Sequence, residues 1–140
     1  MTAAVAPSSG DPSVADGMAK LRAAFESGRT RSCEWRRQQL TALRRLLTER
    51  ESELAAALHA DLNKSLFEAV NTEIGFVVKE IDHALRHLRK WSGPQRVRTP
   101  LMTQPGSSWV QPTPKGVVLI IGAWNYPVEL LGSPLGMALA

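Results

Sequence analysis

The apolar run of residues 116–123, "GVVLIIGA", restricts the possible folds of this chain more than any other stretch. β-branched residues dominate it and no polar side chain interrupts it, as is typical of a strand buried on both faces of a parallel α/β sheet. Such a strand needs similar strands beside it to satisfy its backbone N–H and C=O groups. The rest of the sequence offers no second run of this kind. The strand is expected either to pair with another chain or to be the first strand of a domain that this sequence does not complete. The uncapped helical ending "GMALA" favours the second alternative.

The residues after this run predict a tight turn followed by a helix. Pro127 suits the first position of a helix, where its missing N–H is not needed. Pro134, further along, predicts a kink or an early break. Ligands of open α/β sheets bind at the carboxyl ends of strands, so the turn "AWNYP" is the predicted site. Apolar residues recur at helical spacing beyond the turn, namely Leu130, Leu131, Leu135 and Leu139.

Composition divides the chain into four segments. Residues 1–16 are small and rich in Pro and Ser, which predicts a disordered leader. Residues 17–91 have helical periodicity, and residues 92–115 contain five prolines, which predicts an extended arm with an edge strand at "SSWVQ". Residues 116–140 form the strand–turn–helix unit. The predicted fold class is α/β, with N-terminal helices followed by the first strand and helix of a larger multi-domain fold.

Three helices are predicted within residues 17–91. A short one ends near Gly28, a longer one spans about 32–60, and a third begins at the capping box of Ser65 and Glu68. Alone, these helices could form a small bundle. The apolar stripe of the second helix consists of Leu40, Leu43, Leu47, Leu54 and Leu58, and that of the third of Phe67, Val70, Ile74, Val77, Ile81, Leu85, Leu88 and Trp91.

The basic residues are concentrated between Arg29 and Arg50. Seven arginines lie in this stretch, which has only Glu34 and Glu49 as acidic residues, and the chain carries a formal net charge of +4. A nucleic-acid-binding patch is one interpretation, and a solvated helix face is the other. The absence of a Gly-rich basic tail and of regularly interleaved aromatic residues favours the solvated face.

Cysteine content bears on the cellular compartment and on metal binding. Cys33 is the one cysteine of the chain, which excludes an internal disulfide and a zinc site based on cysteine. This composition suits a reducing cytoplasmic setting. His83 and His87 are four residues apart on the third predicted helix, yet no third ligand with suitable spacing is evident, so no metal site is expected. Residues 116–124 are too few to span a bilayer.

Asn125 is the residue of the turn best suited to chemistry. Its carboxamide could donate a hydrogen bond to an oxygen that becomes negative during acyl chemistry. From the residue alone, capping of the following helix or a role in the turn is the more common use of such an asparagine. Trp124 and Tyr126 could wall a flat cofactor or an apolar substrate, or simply pack in the core. Glu129 suits the N-terminus of a helix better than the role of a base.

Several ordered stretches together resemble one enzyme family. "PKGVVLIIGAWNYP" followed by "ELLGSPLGMALA" is similar to the entry to the cofactor domain in the aldehyde dehydrogenase superfamily, in the form of its class 3 branch. Upstream, the stretch from "LRAAFESGRTRSCEWRRQQL" to "HADLNKS" resembles the opening helices of that branch, and "EIGFVVKEIDHALRHLRKW" resembles its next helix. The resemblance covers residues 18–140, nearly the whole chain.

The resemblance implies the oxidation of aldehydes to carboxylic acids with NAD or NADP. In this family a cysteine thiolate attacks the aldehyde, a hydride passes to the nicotinamide, and a water activated by glutamate hydrolyses the thioester. Asn125 would then donate to the oxyanion, and Tyr126 would border the substrate channel. Residues 116–140 would begin an NAD(P)-binding domain of Rossmann-like type. The nicotinamide end of the cofactor would be lined by Ile121, Gly122, Ala123 and Trp124.

The same resemblance marks what this chain lacks. The family's nucleophilic cysteine and its glutamates would follow Ala140, and Cys33 does not match that cysteine, so the 140-residue chain is expected to be inactive alone. The edge strand around Trp109 resembles the family's oligomerisation arm, which implies a homodimer of the full-length protein. The alternative function is a basic helical module that binds nucleic acid or an acidic partner through Arg29–Arg50.

Overall fold

The computed structural model describes residues 12–140, with side chains from Val14 onwards. Six α-helices occur in this part of the chain: α1 (Pro12–Glu26), α2 (Cys33–Glu49), α3 (Glu51–Leu62), α4 (Leu66–Glu68), α5 (Gly75–Ser92) and α6 (Pro127–Leu139). A π-helix (Ala69–Ile74) joins α4 to α5, and short 3-10 turns occupy Arg29–Arg31 and Leu101–Thr103. Two strands, β1 (Gln95–Val97) and β2 (Ser108–Val110), lie between α5 and α6.

The predicted leader and the first helix differ from the structure at their boundary. Residues 1–11 lie outside the described part of the chain, and Pro12–Asp16 are helical as the start of α1. Gly28 follows this helix in the left-handed conformation, with φ of 75°, as the predicted stop requires. The described end of the leader is thus part of a helix.

The second predicted helix is two helices, because the chain bends at Arg50. Ser32 caps α2 by accepting a hydrogen bond from the Trp35 N–H, as a residue of its type commonly does. Arg50 then leaves helical geometry, with φ of −108° and ψ of 18°. The bend lets α2 pack against α5 while α3 packs against the π-helix. The buried residues of the two helices therefore belong to two clusters, with Leu40 and Leu47 of α2 in one and Ala55 and Leu58 of α3 in the other.

The third predicted helix is confirmed, with a wide turn that its periodicity did not predict. Ser65 caps it by accepting from the Glu68 N–H. The π-helix then shifts the buried face, so that Ile74, Val77, Ile81 and Leu88 are buried while Phe67 is 77% exposed. A stripe extrapolated at 3.6 residues per turn fails across a π-helix, because each π-turn holds an additional residue.

Helix α6 completes the bundle by packing against α5 and α2. The predicted early break at Pro134 does not occur, and the helix continues to Leu139. Packing against two neighbouring helices compensates for the hydrogen bond that Pro134 cannot donate. Gly136 is buried in this contact, where a Cβ would lie 3.4 Å from Ile81.

The predicted edge strand is confirmed, and the predicted buried strand is not formed. β2 pairs antiparallel with β1, placing Trp109 opposite Arg96. Residues 116–123 adopt neither helix nor strand, and Leu119 and Ile121 are 84% and 85% exposed. No further strand pairs with them in the described part of the chain, so the backbone partners that a buried strand needs are not present.

Candidate functional site

The predicted turn stands at the start of α6. Trp124 and Asn125 form the turn, Tyr126 precedes the helix with φ of −138° and ψ of 67°, and Pro127 takes the first helical position. Trp124 is 63% exposed, Asn125 is exposed and Tyr126 is half-buried. Asn125 lies one residue before the cap position, and the cap residue itself makes no side-chain cap bond. The carboxamide of Asn125 is therefore not occupied by helix capping.

A carboxylate from another helix binds the N-terminus of α6. Oε2 of Glu73, in the π-helix, accepts a hydrogen bond from the Val128 N–H at 2.8 Å. Oε1 of the same carboxylate pairs with Lys64 Nζ at 2.6 Å. This arrangement satisfies one of the backbone donors that a helix start leaves free, and the charge favours the helix dipole.

Lys64 also contacts the residue next to Asn125. Its Nζ lies 3.6 Å from the centroid of the Tyr126 ring, which is a cation–π geometry. Both charged groups are withdrawn from water, with Lys64 7% and Glu73 0% exposed. Sequence reasoning missed both residues, since Glu73 is one of three consecutive polar residues between Val70 and Ile74 of the predicted stripe. The available signal was Gly75, a glycine inside an otherwise helical pattern.

The predicted cofactor-lining residues lie together ahead of the turn. Ile121, Ala123 and Trp124 are exposed, and Gly122 is half-buried. A Cβ at Gly122 would lie 2.9 Å from Leu131 Cγ, so the segment passes close over the first turns of α6. Ile121 and Trp124 thus present an exposed apolar surface directly ahead of the turn.

The other residues considered from the sequence lie apart from this turn. Cys33 packs against the main core cluster and borders a shallow surface cleft with Arg37 and Arg89. The imidazoles of His83 and His87 stack with centroids 4.1 Å apart. Residues 12–140 contain no group of three side chains suited to holding a metal ion. Nor does any helix in that range have the length and apolar character needed to cross a membrane.

The basic stretch is largely paired within the bundle. Arg44 binds Asp82 at 2.7 Å, and the hydrogen bond and attraction of that carboxylate raise the pKa of the Arg44 guanidinium above its ordinary value. Arg45 pairs with Glu49, and Arg50 with Glu53. Arg36 donates to the Ala140 carbonyl at 2.6 Å and to Ser92 Oγ at 2.9 Å. These contacts favour a structural, solvated basic face over a nucleic-acid-binding patch.

Comparison with known proteins decides the family. The sequence model described as "Aldehyde dehydrogenase family" matches residues 2–140. The chain belongs to the aldehyde dehydrogenase family. Among its relatives, aldehyde dehydrogenase family 3 member A2 of Macaca fascicularis is 47% identical over 86% of this chain and 25% of its own length. Aldehyde dehydrogenase family 3 member B1 of Bos taurus is 47% identical over 90% of this chain and 27% of its own length.

Further relatives agree in sequence and in three dimensions. The dimeric NADP-preferring aldehyde dehydrogenase of Canis lupus familiaris is 40% identical over 91% of this chain and 28% of its own length. The substrate-bound state of Staphylococcus aureus AldH superposes with a TM-score of 0.88 at 35% identity, over 90% of this chain and 28% of that one. This aldehyde dehydrogenase chain thus spans about a quarter of the length of the relatives it matches. The structural match explains this architecture, because the helical bundle and its two-stranded arm form the N-terminal part of a larger α/β fold.

Proposed function

We propose that the full-length protein oxidises aldehydes to carboxylic acids with NAD or NADP, through a thiohemiacetal on a cysteine outside these 140 residues. Family membership supports the reaction class. The single structural observation that carries the proposal is Asn125, exposed at the turn before α6 with its carboxamide free of helix capping. This chain then supplies the oxyanion side of the active site and needs the nucleophile and hydrolytic base from the rest of the protein.

Asn125 acts as the oxyanion donor. When a thiolate adds to an aldehyde, the carbonyl oxygen gains a negative charge, and a carboxamide N–H held 2.7–3.1 Å from that oxygen stabilises the charge. Such a donor is most effective when its dipole is oriented before the reaction begins. Removal of one such donor lowers the rate by about 10²–10³-fold.

The segment before Asn125 lies against the cofactor, and Tyr126 borders the substrate channel. When bound, NAD or NADP accepts the hydride that the oxidised carbon releases. Ile121, Gly122, Ala123 and Trp124 hold its nicotinamide end through apolar contact, and the lack of a Cβ at Gly122 keeps the segment close to α6. Family resemblance and the exposed apolar surface of Ile121 and Trp124 support this assignment.

The full-length protein is proposed to be a cytoplasmic homodimer. The canine relative is named as a dimeric enzyme, and the β1–β2 hairpin, with Trp109 59% exposed, could serve as the oligomerisation arm. The aldehyde is the small-molecule partner, and neither a metal nor nucleic acid is needed.

Substitution of Asn125 tests the oxyanion role in the full-length enzyme. Asn125→Ala is expected to lower kcat for aldehyde oxidation about 10²–10³-fold while the Kd of the cofactor changes little. The matched control is Gln38→Ala, which removes an exposed carboxamide bonded to Glu34 on α2 and should leave kcat unchanged. Steady-state turnover with titration of the cofactor measures both, and unchanged turnover in Asn125→Ala would refute the role.

A further inference from the structure

The most deeply buried ion pair of the described chain lies directly beneath the Asn125 turn. Lys64 and Glu73 are 7% and 0% exposed. The other three ion pairs of residues 12–140 have side chains at least 37% exposed. A buried pair is a poor source of stability, because desolvation of two charges offsets most of their attraction. Its presence at this one place needs an explanation other than stability.

Local backbone geometry holds both partners in place. Asn63 ends α3 in the left-handed conformation with φ of 53°, and His59 Nδ1 lies 3.0 Å from the Lys64 carbonyl oxygen. The π-helix brings Glu73 into the interior, and its last bond runs from the Gly75 N–H to the Val70 carbonyl. A Cβ at Gly75 would lie 2.7 Å from that carbonyl oxygen, so the wide turn depends on glycine. The π-helix thus positions the Glu73 carboxylate in the interior.

Each charge of the pair contacts a different residue at the start of α6. Glu73 Oε2 accepts from the Val128 N–H at 2.8 Å, and Lys64 Nζ stands over the Tyr126 ring. These contacts bracket the segment that immediately follows Asn125. Asn125 itself is exposed, and among the described residues its carboxamide has no hydrogen-bond partner that would orient it. The position of its backbone therefore sets the region that the carboxamide can reach.

We propose that Glu73 is a positioning residue that holds Asn125 in place for catalysis through the bond of its carboxylate to the Val128 N–H, with Lys64 as its buried counter-charge. The inference rests on the proposed oxyanion role of Asn125. An oxyanion donor works over only a few tenths of an ångström, and a displacement of 1 Å can lower a rate about 10²-fold. A fixed, buried carboxylate meets that requirement better than a mobile surface contact.

Two charge-neutral double variants of the full-length enzyme test the proposal without leaving an unpaired buried charge. Lys64→Met with Glu73→Gln keeps a carbonyl acceptor for the Val128 N–H, whereas Lys64→Met with Glu73→Leu removes it. We expect kcat/KM of the Gln form to stay within about threefold of the wild type, and that of the Leu form to fall about 10–100-fold. Equal activities of the two forms would overturn the proposal.

The same substitutions in an Asn125→Ala background separate positioning from general weakening of the fold. If the pair acts through Asn125, the Gln and Leu forms should then have the same kcat/KM, since there is no carboxamide left to misplace. Losses that multiply would show that the pair acts elsewhere and would overturn the positioning role. Asp82→Asn, which breaks the half-exposed pair with Arg44, is the matched control and should leave kcat/KM unchanged. An equal loss in this control would also overturn the proposal.

The outcomes distinguish this inference from the proposed function. If Asn125→Ala alone retains wild-type kcat/KM, the oxyanion role is wrong, and the positioning role fails with it. If Asn125→Ala is impaired while the Gln and Leu forms are equally active, the oxyanion role stands and the positioning role alone is wrong.

Discussion

At the scale of single residues, the same ion-pair chemistry has opposite consequences according to burial. Arg45 and Glu49 are 70% and 59% exposed, so water and salt screen their attraction and either partner can be lost with little effect. Glu73 is fully buried, and its counter-charge is Lys64. Lys64 contacts one oxygen of the carboxylate and the Val128 N–H contacts the other. Removal of one partner there leaves a charge that neither water nor protein compensates.

Glu73→Leu alone should therefore destabilise the chain by about 3–5 kcal/mol, because it leaves the Lys64 ammonium buried and unpaired. Urea unfolding followed by circular dichroism measures the change in the free energy of unfolding. Glu49→Leu is the matched control, since it removes a carboxylate from a surface pair on α2 and should leave the unfolding midpoint almost unchanged. Comparable losses in the two variants would contradict the burial of the Lys64–Glu73 pair.

At the scale of elements, α6 is fixed to the bundle by glycine contacts on one face. A Cβ at Gly132 would lie 2.9 Å from Val77 Cγ1, and Val77 is fully buried in the core of α5. A Cβ at Gly136, one turn later, would lie 3.4 Å from Ile81, an ordinary contact distance. The two glycines thus differ in how closely the helices approach, although the sequence alone does not distinguish them.

Gly132→Ala should lower the free energy of unfolding by about 1–3 kcal/mol, because Val77 has no space into which it can move. Gly136→Ala should be neutral or stabilising, by up to about 1 kcal/mol, since alanine favours the helix and meets no close neighbour. Thermal unfolding of both variants beside the parent chain measures the difference. A stabilised Gly132→Ala variant would show that α5 and α6 are not in tight contact.

The helices could be predicted from the sequence, whereas the bend and the π-helix that connect them could not. Periodicity located α2, α5 and α6 because each buries one apolar face, and Ser65 marked a helix start through its own side chain. The bend at Arg50 and the π-helix escaped prediction because tertiary packing, not local preference, selects them. Glu73 escaped for the same reason, since its partners Lys64 and Val128 are 9 and 55 residues away in sequence.

At the scale of the whole molecule, a helical bundle carries two exposed segments. The β1–β2 hairpin exposes Trp109, and residues 116–125 expose Leu119, Ile121 and Trp124. The sequence predicted correctly that the apolar run is unpartnered in this chain, but its strand is not formed. Hydrophobicity indicates that a segment belongs in an interior, whereas strand geometry also requires neighbours for its backbone groups.

Limited proteolysis of the isolated 140-residue chain should reflect this division. Chymotrypsin should cleave first near Leu119 and Trp124, where the backbone lacks helix or strand hydrogen bonds. The C-terminal fragment containing α6 should remain bound to the bundle on size-exclusion chromatography, because α6 packs against α5 and α2. Early cleavage within α5, or separation of the α6 fragment, would contradict the packing.

Two polar contacts of the α6 segment, at Val128 and Ala140, have a consequence for the order of events during synthesis. The Val128 N–H meets a carboxylate 55 residues upstream, and the Ala140 carbonyl meets Arg36, 104 residues upstream. At about 5–20 residues per second, Glu73 leaves the ribosome on the order of 3–10 s before its partner. Because helix formation takes only about a microsecond, α2 and α5 can be in place well before then. Helix α6 then reaches a surface that already holds both of the groups it bonds, the Glu73 carboxylate and the Arg36 guanidinium.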